Sequence, residues 1–155
     1  MKLTGLALAL CCAAAVPAQS PITVTVDLRT TGAAIPQDFS GLSFEASNLL
    51  PEPGGGHLFS AENKPLIDLF RTLGIRSLRI GGSTADMPRY AVPGENDVDQ
   101  LFAFAAAAGV QVLYTLRLPR SKAEDDAAIA GYIQQKHGAR LTCFELGNEP
   151  DFYRR

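Results

Sequence analysis

The sequence predicts an α/β protein, the N-terminal half of a (β/α)8 TIM barrel, and three observations predict it. Four short apolar-rich strands begin near residues 39, 76, 110 and 141. Segments with helical periodicity fill the gaps between them. Each strand presents one greasy face and one small or polar face.

Residues 22–27, Ile-Thr-Val-Thr-Val-Asp, alternate apolar with polar and read as a half-buried strand ahead of the repeats. Residues 39–45 form the first strand of the repeats, followed by a Pro/Gly-rich loop at 51–56. Residues 65–73 are helical, with Leu66, Leu69, Phe70 and Leu73 at i, i+3, i+4 and i+7, and Gly74 supplies the stop. The second strand covers 76–81. A loop then leads to an alanine-rich helix over about 97–108, ended by Gly109. The third strand covers 110–118, the third helix 122–137 with Gly138 as its stop, and the fourth strand 141–147. These intervals suit strand–helix units of about 30 residues or more, joined by right-handed crossovers. An open parallel sheet and half of an eight-stranded barrel both meet that description.

The strand faces separate the two. Leu42 and Phe44, Leu78 and Ile80, Val112, Tyr114 and Leu116, and Phe144 and Leu146 share the apolar side. Glu45, Arg79, Arg117, Glu145 and Glu149 fall on the other. An open sheet with helices on both sides needs two apolar faces, and so many charges do not make a dry core. A barrel whose interior rises into a polar site at the strand C-terminal ends accommodates them.

Composition narrows the classes. Hydrophobic residues are 46% and charged residues 19% of the 155, which suits a globular chain rather than a disordered one. A net charge of −2 without a basic block excludes nucleic acid as an expected partner. Residues 1–18 read as a secretory signal peptide: Lys2, an apolar run, then small residues before the cleavage point. The run is shorter than the roughly 20 residues a bilayer span requires, so no membrane association is expected after cleavage and the product is secreted. Cleavage removes Cys11 and Cys12 and leaves Cys143 alone, read as a small buried hydrophobe in an apolar strand. Residues 19–35 then form an N-terminal strand segment and residues 36–155 a partial barrel, truncated after its fourth strand.

Glu45 and Glu149 are read at strand C-terminal ends, where barrel enzymes place working side chains. Glycoside cleavage needs a carboxyl that protonates the leaving oxygen and a second that attacks or activates water. Glu149, after an apolar strand and before Pro150, suits the donor, and Asn148 suits either a hydrogen bond to a sugar hydroxyl or the orienting of the carboxylates. Asn-Glu-Pro by itself also marks a helix start. Glu145 reads as a buried partner for Arg79 or Arg117. The Gly81-Gly82-Ser83 turn lacks a phosphate-loop lysine and reads as a place where a sugar approaches the backbone. His57 and His137 belong to no cluster at metal-ligand spacing, so neither metal nor cofactor is expected.

Three segments, Phe39-Ser-Gly-Leu-Ser-Phe-Glu45, Leu78-Arg-Ile-Gly-Gly-Ser-Thr-Ala-Asp86 and Phe144-Glu-Leu-Gly-Asn-Glu-Pro150, resemble successive blocks of glycoside hydrolase family 79, in that family's order. The resemblance implies a (β/α)8 barrel with an appended β-sandwich, which the strand near residues 22–26 would join, and β-glucuronide or related glycan cleavage with retention. It implies Glu149 as general acid/base, Asn148 as its neighbour, and Glu45 and Ser83 as substrate contacts, with Arg79 on the same interior face. The family's nucleophile is a second glutamate after the seventh strand. The expectation is therefore a fragment, inactive and poorly soluble alone. Another retaining barrel glycosidase, such as an arabinofuranosidase, and a non-catalytic carbohydrate-binding protein are the alternatives.

Overall fold

The computed structural model describes residues 22–153; the signal-peptide reading of residues 1–18 lies outside them. The chain divides into two units at Ala33/Ala34. In the first, residues 22–26 carry no strand, and Ile22, Val24 and Val26 are exposed rather than half-buried. Alternation shows which side chains would share a face, but a strand exists only where a second one takes up its backbone groups. The local order here is a turn in which the Asp27 carboxylate accepts hydrogen bonds from the Arg29 N–H and the Thr30 hydroxyl.

The second unit is an α/β layer built on a four-stranded sheet, β1 (Gly41–Glu45), β2 (Ser77–Gly81), β3 (Gln111–Leu116) and β4 (Leu141–Leu146), in that spatial order. All three pairings are parallel. Each crossover carries a helix: α1 (Lys64–Thr72), then the short α2 (Ser83–Asp86) and α3 (Glu95–Ala108), then α4 (Ala123–His137). The register aligns Glu45 with Gly81 and Thr115 with Glu145, making one row across the C-terminal end of the sheet. Between β3 and β4 the register slips by one residue near Leu113, the signature of a bulge.

The core lies on the face the strand alternation assigned to it. Leu78, Ile80, Val112, Tyr114 and Leu116 are buried there with Ile67 and Phe70 of α1, Leu101 and Phe104 of α3, and Ile133 of α4. Phe44, Phe59, Phe70 and Phe104 pack ring to ring, three of the contacts edge-on at 5.1 Å between centroids. Such pairs add about 0.5–1.5 kcal/mol beyond the area they bury. One-sided packing of α1, α3 and α4 is compatible with half of an eight-stranded barrel, since an open doubly wound sheet covers both faces.

Several local expectations change. The buried stripe of α1 is Leu66, Ile67 and Phe70, whereas Leu69 and Leu73 are exposed. The helix is rotated from the assumed stripe: Phe70 packs edge-on against Phe104 of α3, and Ile67 is buried in the same core. Cys143 is exposed. It shares the parity of Glu145, and no helix of the core covers that face. Gly74 and Gly109 do end their helices in left-handed backbone, at φ 67° and 78°. Gly138 stays right-handed and opens a 3-10 turn, Gly138–Arg140.

Candidate active site

The candidate site gathers at the C-terminal ends of the strands. Glu45 closes β1, as expected, but its carboxylate turns to the start of α2. Its Oε2 accepts from the Thr84 N–H at 2.8 Å and the Thr84 hydroxyl at 2.7 Å. Burial raises the Glu45 carboxyl; the Thr84 donors, the Ser83 N–H and the charge of Arg79 outweigh it and hold the group below its ordinary value. Close packing dictates both glycines: a Cβ on Gly81 would run into the Thr115 hydroxyl and the Arg79 guanidinium. A Cβ on Gly82, where φ is +68°, would stand 2.5 Å from Glu45 Oε1. The approach that the sequence reserved for a sugar is thus taken by the protein's own carboxylate.

Arg79 lies one row below and reaches upward. Its guanidinium donates to Glu145 Oε2 from Nε (2.9 Å) and Nη2 (2.6 Å), to Ser43 Oγ (3.2 Å) and to Asn148 Oδ1 (3.1 Å). The Thr115 hydroxyl donates to the same Glu145 oxygen at 2.6 Å. Glu145 therefore pairs with Arg79 and not with Arg117. Arg117 donates instead to the carbonyls of Ala85, Met87 and Tyr90, and so ties the end of β3 to α2 and the turn after it.

Past β4 the chain leaves the strand alternation. Gly147 and Glu149 both adopt left-handed backbone, with φ 69° and 50°. Glu149 is therefore in the turn beyond β4, and strand parity does not govern its direction. It precedes a 3-10 turn, Pro150–Phe152, that has Pro at its first position. The helix-start reading of Asn-Glu-Pro holds, yet the Glu149 side chain makes no capping hydrogen bond. It is exposed and lines an open cleft of about 460 Å³ together with Ser83 and Asn148. Met87, Pro88, Pro119 and Phe152 supply apolar walls, and Arg120 a cation. Arg120, at φ 58°, is the other non-glycine residue with left-handed backbone among those described. Such outliers persist where the surroundings over-determine them, and they cluster at functional sites.

Of the five residues expected at the site, Ser83, Asn148 and Glu149 thus share one cleft. Arg79 joins them through the Asn148 side chain. Glu45 supports the α2 turn behind them. Two residues that sequence reasoning passed over also line the cleft, Asp86 and Tyr153. Asp86 Oδ1 accepts from the Leu118 N–H at 3.2 Å, and Oδ2 accepts from the Asn148 N–H and the Tyr153 hydroxyl. Asp86 closes a segment already singled out, but no local pattern reveals partners 32, 62 and 67 positions away.

Compared with protein-family models and with curated proteins, the chain matches none. Fold and site together define an α/β protein with a polar cleft at its strand ends, walled by apolar side chains and carrying one carboxylate without a hydrogen-bond partner among the described residues.

Proposed function

We propose that this chain is the N-terminal half of the (β/α)8 barrel of a secreted retaining glycoside hydrolase, of the family 79 kind, acting on β-glucuronides or related glycans. The observation that carries the reading is the exposed Glu149 carboxyl in the strand-end cleft, beside Asn148 and Ser83. Glu149 is the general acid/base. Its proton passes to the glycosidic oxygen as the bond to the anomeric carbon breaks, and the electron pair leaves with the aglycone. It later takes a proton from the water that releases the sugar. Asn148, oriented by Arg79, hydrogen-bonds a sugar hydroxyl, and Ser83 contacts substrate across the cleft.

Retention needs a second carboxyl about 5–5.5 Å from the first. Glu45, Glu145 and Asp86 are each engaged by neighbouring donors, and none of them is assigned as nucleophile. That engagement favours a second reading, a carbohydrate-binding protein that keeps the cleft without turnover.

One comparison separates the two. The full-length protein is assayed against aryl β-glucuronides, arabinofuranosides and xylosides, with Glu149→Gln beside it. The expected outcome is glucuronide hydrolysis that falls by about 10²–10⁴-fold in the variant on poor leaving groups. Saturable glycan binding without hydrolysis, equal in both proteins, would establish the binding reading. Hydrolysis untouched by the substitution would remove Glu149 from the mechanism.

A further inference from the structure

The chain meets the cleft at two strained turns, and a single carboxylate joins them. Arg120 and Glu149, the two non-glycine residues with left-handed backbone among those described, follow β3 and β4 respectively. An L-residue in that region costs about 1–2 kcal/mol. Asp86, the last residue of α2, accepts from the Leu118 N–H on the first turn and the Asn148 N–H on the second. Tyr153 folds back from the Pro150–Phe152 turn; its hydroxyl donates to Asp86 and accepts from the same Asn148 N–H at 3.1 Å. The approach is close enough to dictate the neighbouring residue. A Cβ on Gly147 would collide with the Tyr153 hydroxyl and stand 2.8 Å from Leu118 Cβ. Arg79 holds the other end of Asn148. The backbone leading into Glu149 is thus held at Gly147 and Asn148, while its own carboxyl has no hydrogen-bond partner among the described residues.

We propose that Asp86 and Tyr153 are positioning residues, a latch that sets the direction of the Glu149 carboxyl by clamping the Asn148 N–H; the role in catalysis rests on the glycosidase reading above. Hydrogen bonds to a carboxylate are about twice as strong as neutral ones, which suits a device that must offset two unfavourable backbone conformations. Burial and the Asp86 carboxylate push the Tyr153 hydroxyl up to about 12, so it remains a donor throughout the neutral range. A misplacement of about 1 Å can cost about 10²-fold in rate, and an acid is the group most dependent on direction, because its proton must meet a single oxygen.

The experiment uses Tyr153→Phe, which removes one oxygen, and Asp86→Asn, with two independent measurements. Amide hydrogen exchange on the chain should rise at Asn148 in both variants and at Leu118 in Asp86→Asn, while β2 and β3 amides keep their protection. In the full-length protein, kcat/KM, which reports the step that expels the leaving group, should fall by about 10–100-fold for an aryl glycoside with a poor leaving group and by less than about threefold for a dinitrophenyl glycoside, whose leaving group needs no proton. Unchanged exchange at Asn148 overturns the latch, whatever the activity. An equal loss on both substrates overturns the positioning role and leaves a merely structural one. A Glu149→Gln protein that keeps its rate on the poor leaving group removes the acid/base reading and the positioning role with it. The exchange result then stands or falls alone.

Discussion

Gly147 is the residue at which β4 stops being a strand. Its φ of +69° and the crowding by Tyr153 and Leu118 leave no room for a side chain. Gly147→Ala should lower stability by about 1–2 kcal/mol from the backbone alone, with a further loss from displacing the Tyr153 ring. Arg120 offers the converse. Gly ordinarily costs about 0.5–1 kcal/mol in the unfolded-chain entropy it adds, but at φ 58° the relief of strain offsets that cost. Arg120→Gly should therefore leave stability unchanged or raise it by up to about 1 kcal/mol. Urea denaturation of the two variants checks both signs. A clear loss in Arg120→Gly would mean that its guanidinium holds the cleft together.

At the scale of elements, α3 and α4 are joined through one aspartate. Asp99 of α3 accepts from the Tyr132 hydroxyl at 2.8 Å and from Lys136 at 2.7 Å, and pairs with His137 Nε2 at 2.8 Å, all on α4. Burial raises the Asp99 carboxyl, but the donors of Lys136, His137 and Tyr132 outweigh it and hold the group down at about 2. The unfolded chain then takes up this proton at a higher pH than the folded one. The contribution is complete above about 4 and is lost as pH falls towards about 2. Asp99→Asn should lower stability near neutrality and flatten the dependence of the urea midpoint over that window. A slope identical to the parent's would show that the acid sensitivity arises elsewhere. This junction was not legible beforehand, because His137 and Asp99 are 38 positions apart and no local pattern pairs them. The strands were legible, since alternation in residues as plain as Leu78–Arg79–Ile80 is a local property. The direction of α1 was not: Leu66, Leu69, Phe70 and Leu73 make an acceptable stripe until folding buries Ile67 in the core. The site divides the same way. Asn148, Glu149 and Ser83 stand out by type and position after their strands, whereas the role of Asp86 depends on three contacts that only folding creates. The turn of Glu45 towards Thr84 likewise follows from the left-handed Gly82, which the sequence permits but does not announce.

For the whole molecule, the sheet determines how the chain behaves in solution. Among the described residues β1 and β4 are the outer strands, and their outward backbone groups pair with no other strand. Open parallel edges recruit further strands unless charge, proline or a bulge blocks them. At β4 the bulge lies on the inner side, towards β3, and so does nothing to guard the outer edge. Its exposed side chains include Cys143 and Leu146, the latter 65% exposed. On the face that Cys143 shares, the charged row is internally satisfied, Glu145 by Arg79 and Glu45 by Thr84, and offers little repulsion to an incoming strand. The 155-residue chain alone should therefore self-associate through its edges, with weight-average mass rising with concentration in sedimentation equilibrium. Leu146→Lys places a charge on that edge without touching the core and should shift the association to concentrations about tenfold higher or more. A chain that sediments as a monomer at every concentration, with or without the lysine, would require the edges to be covered.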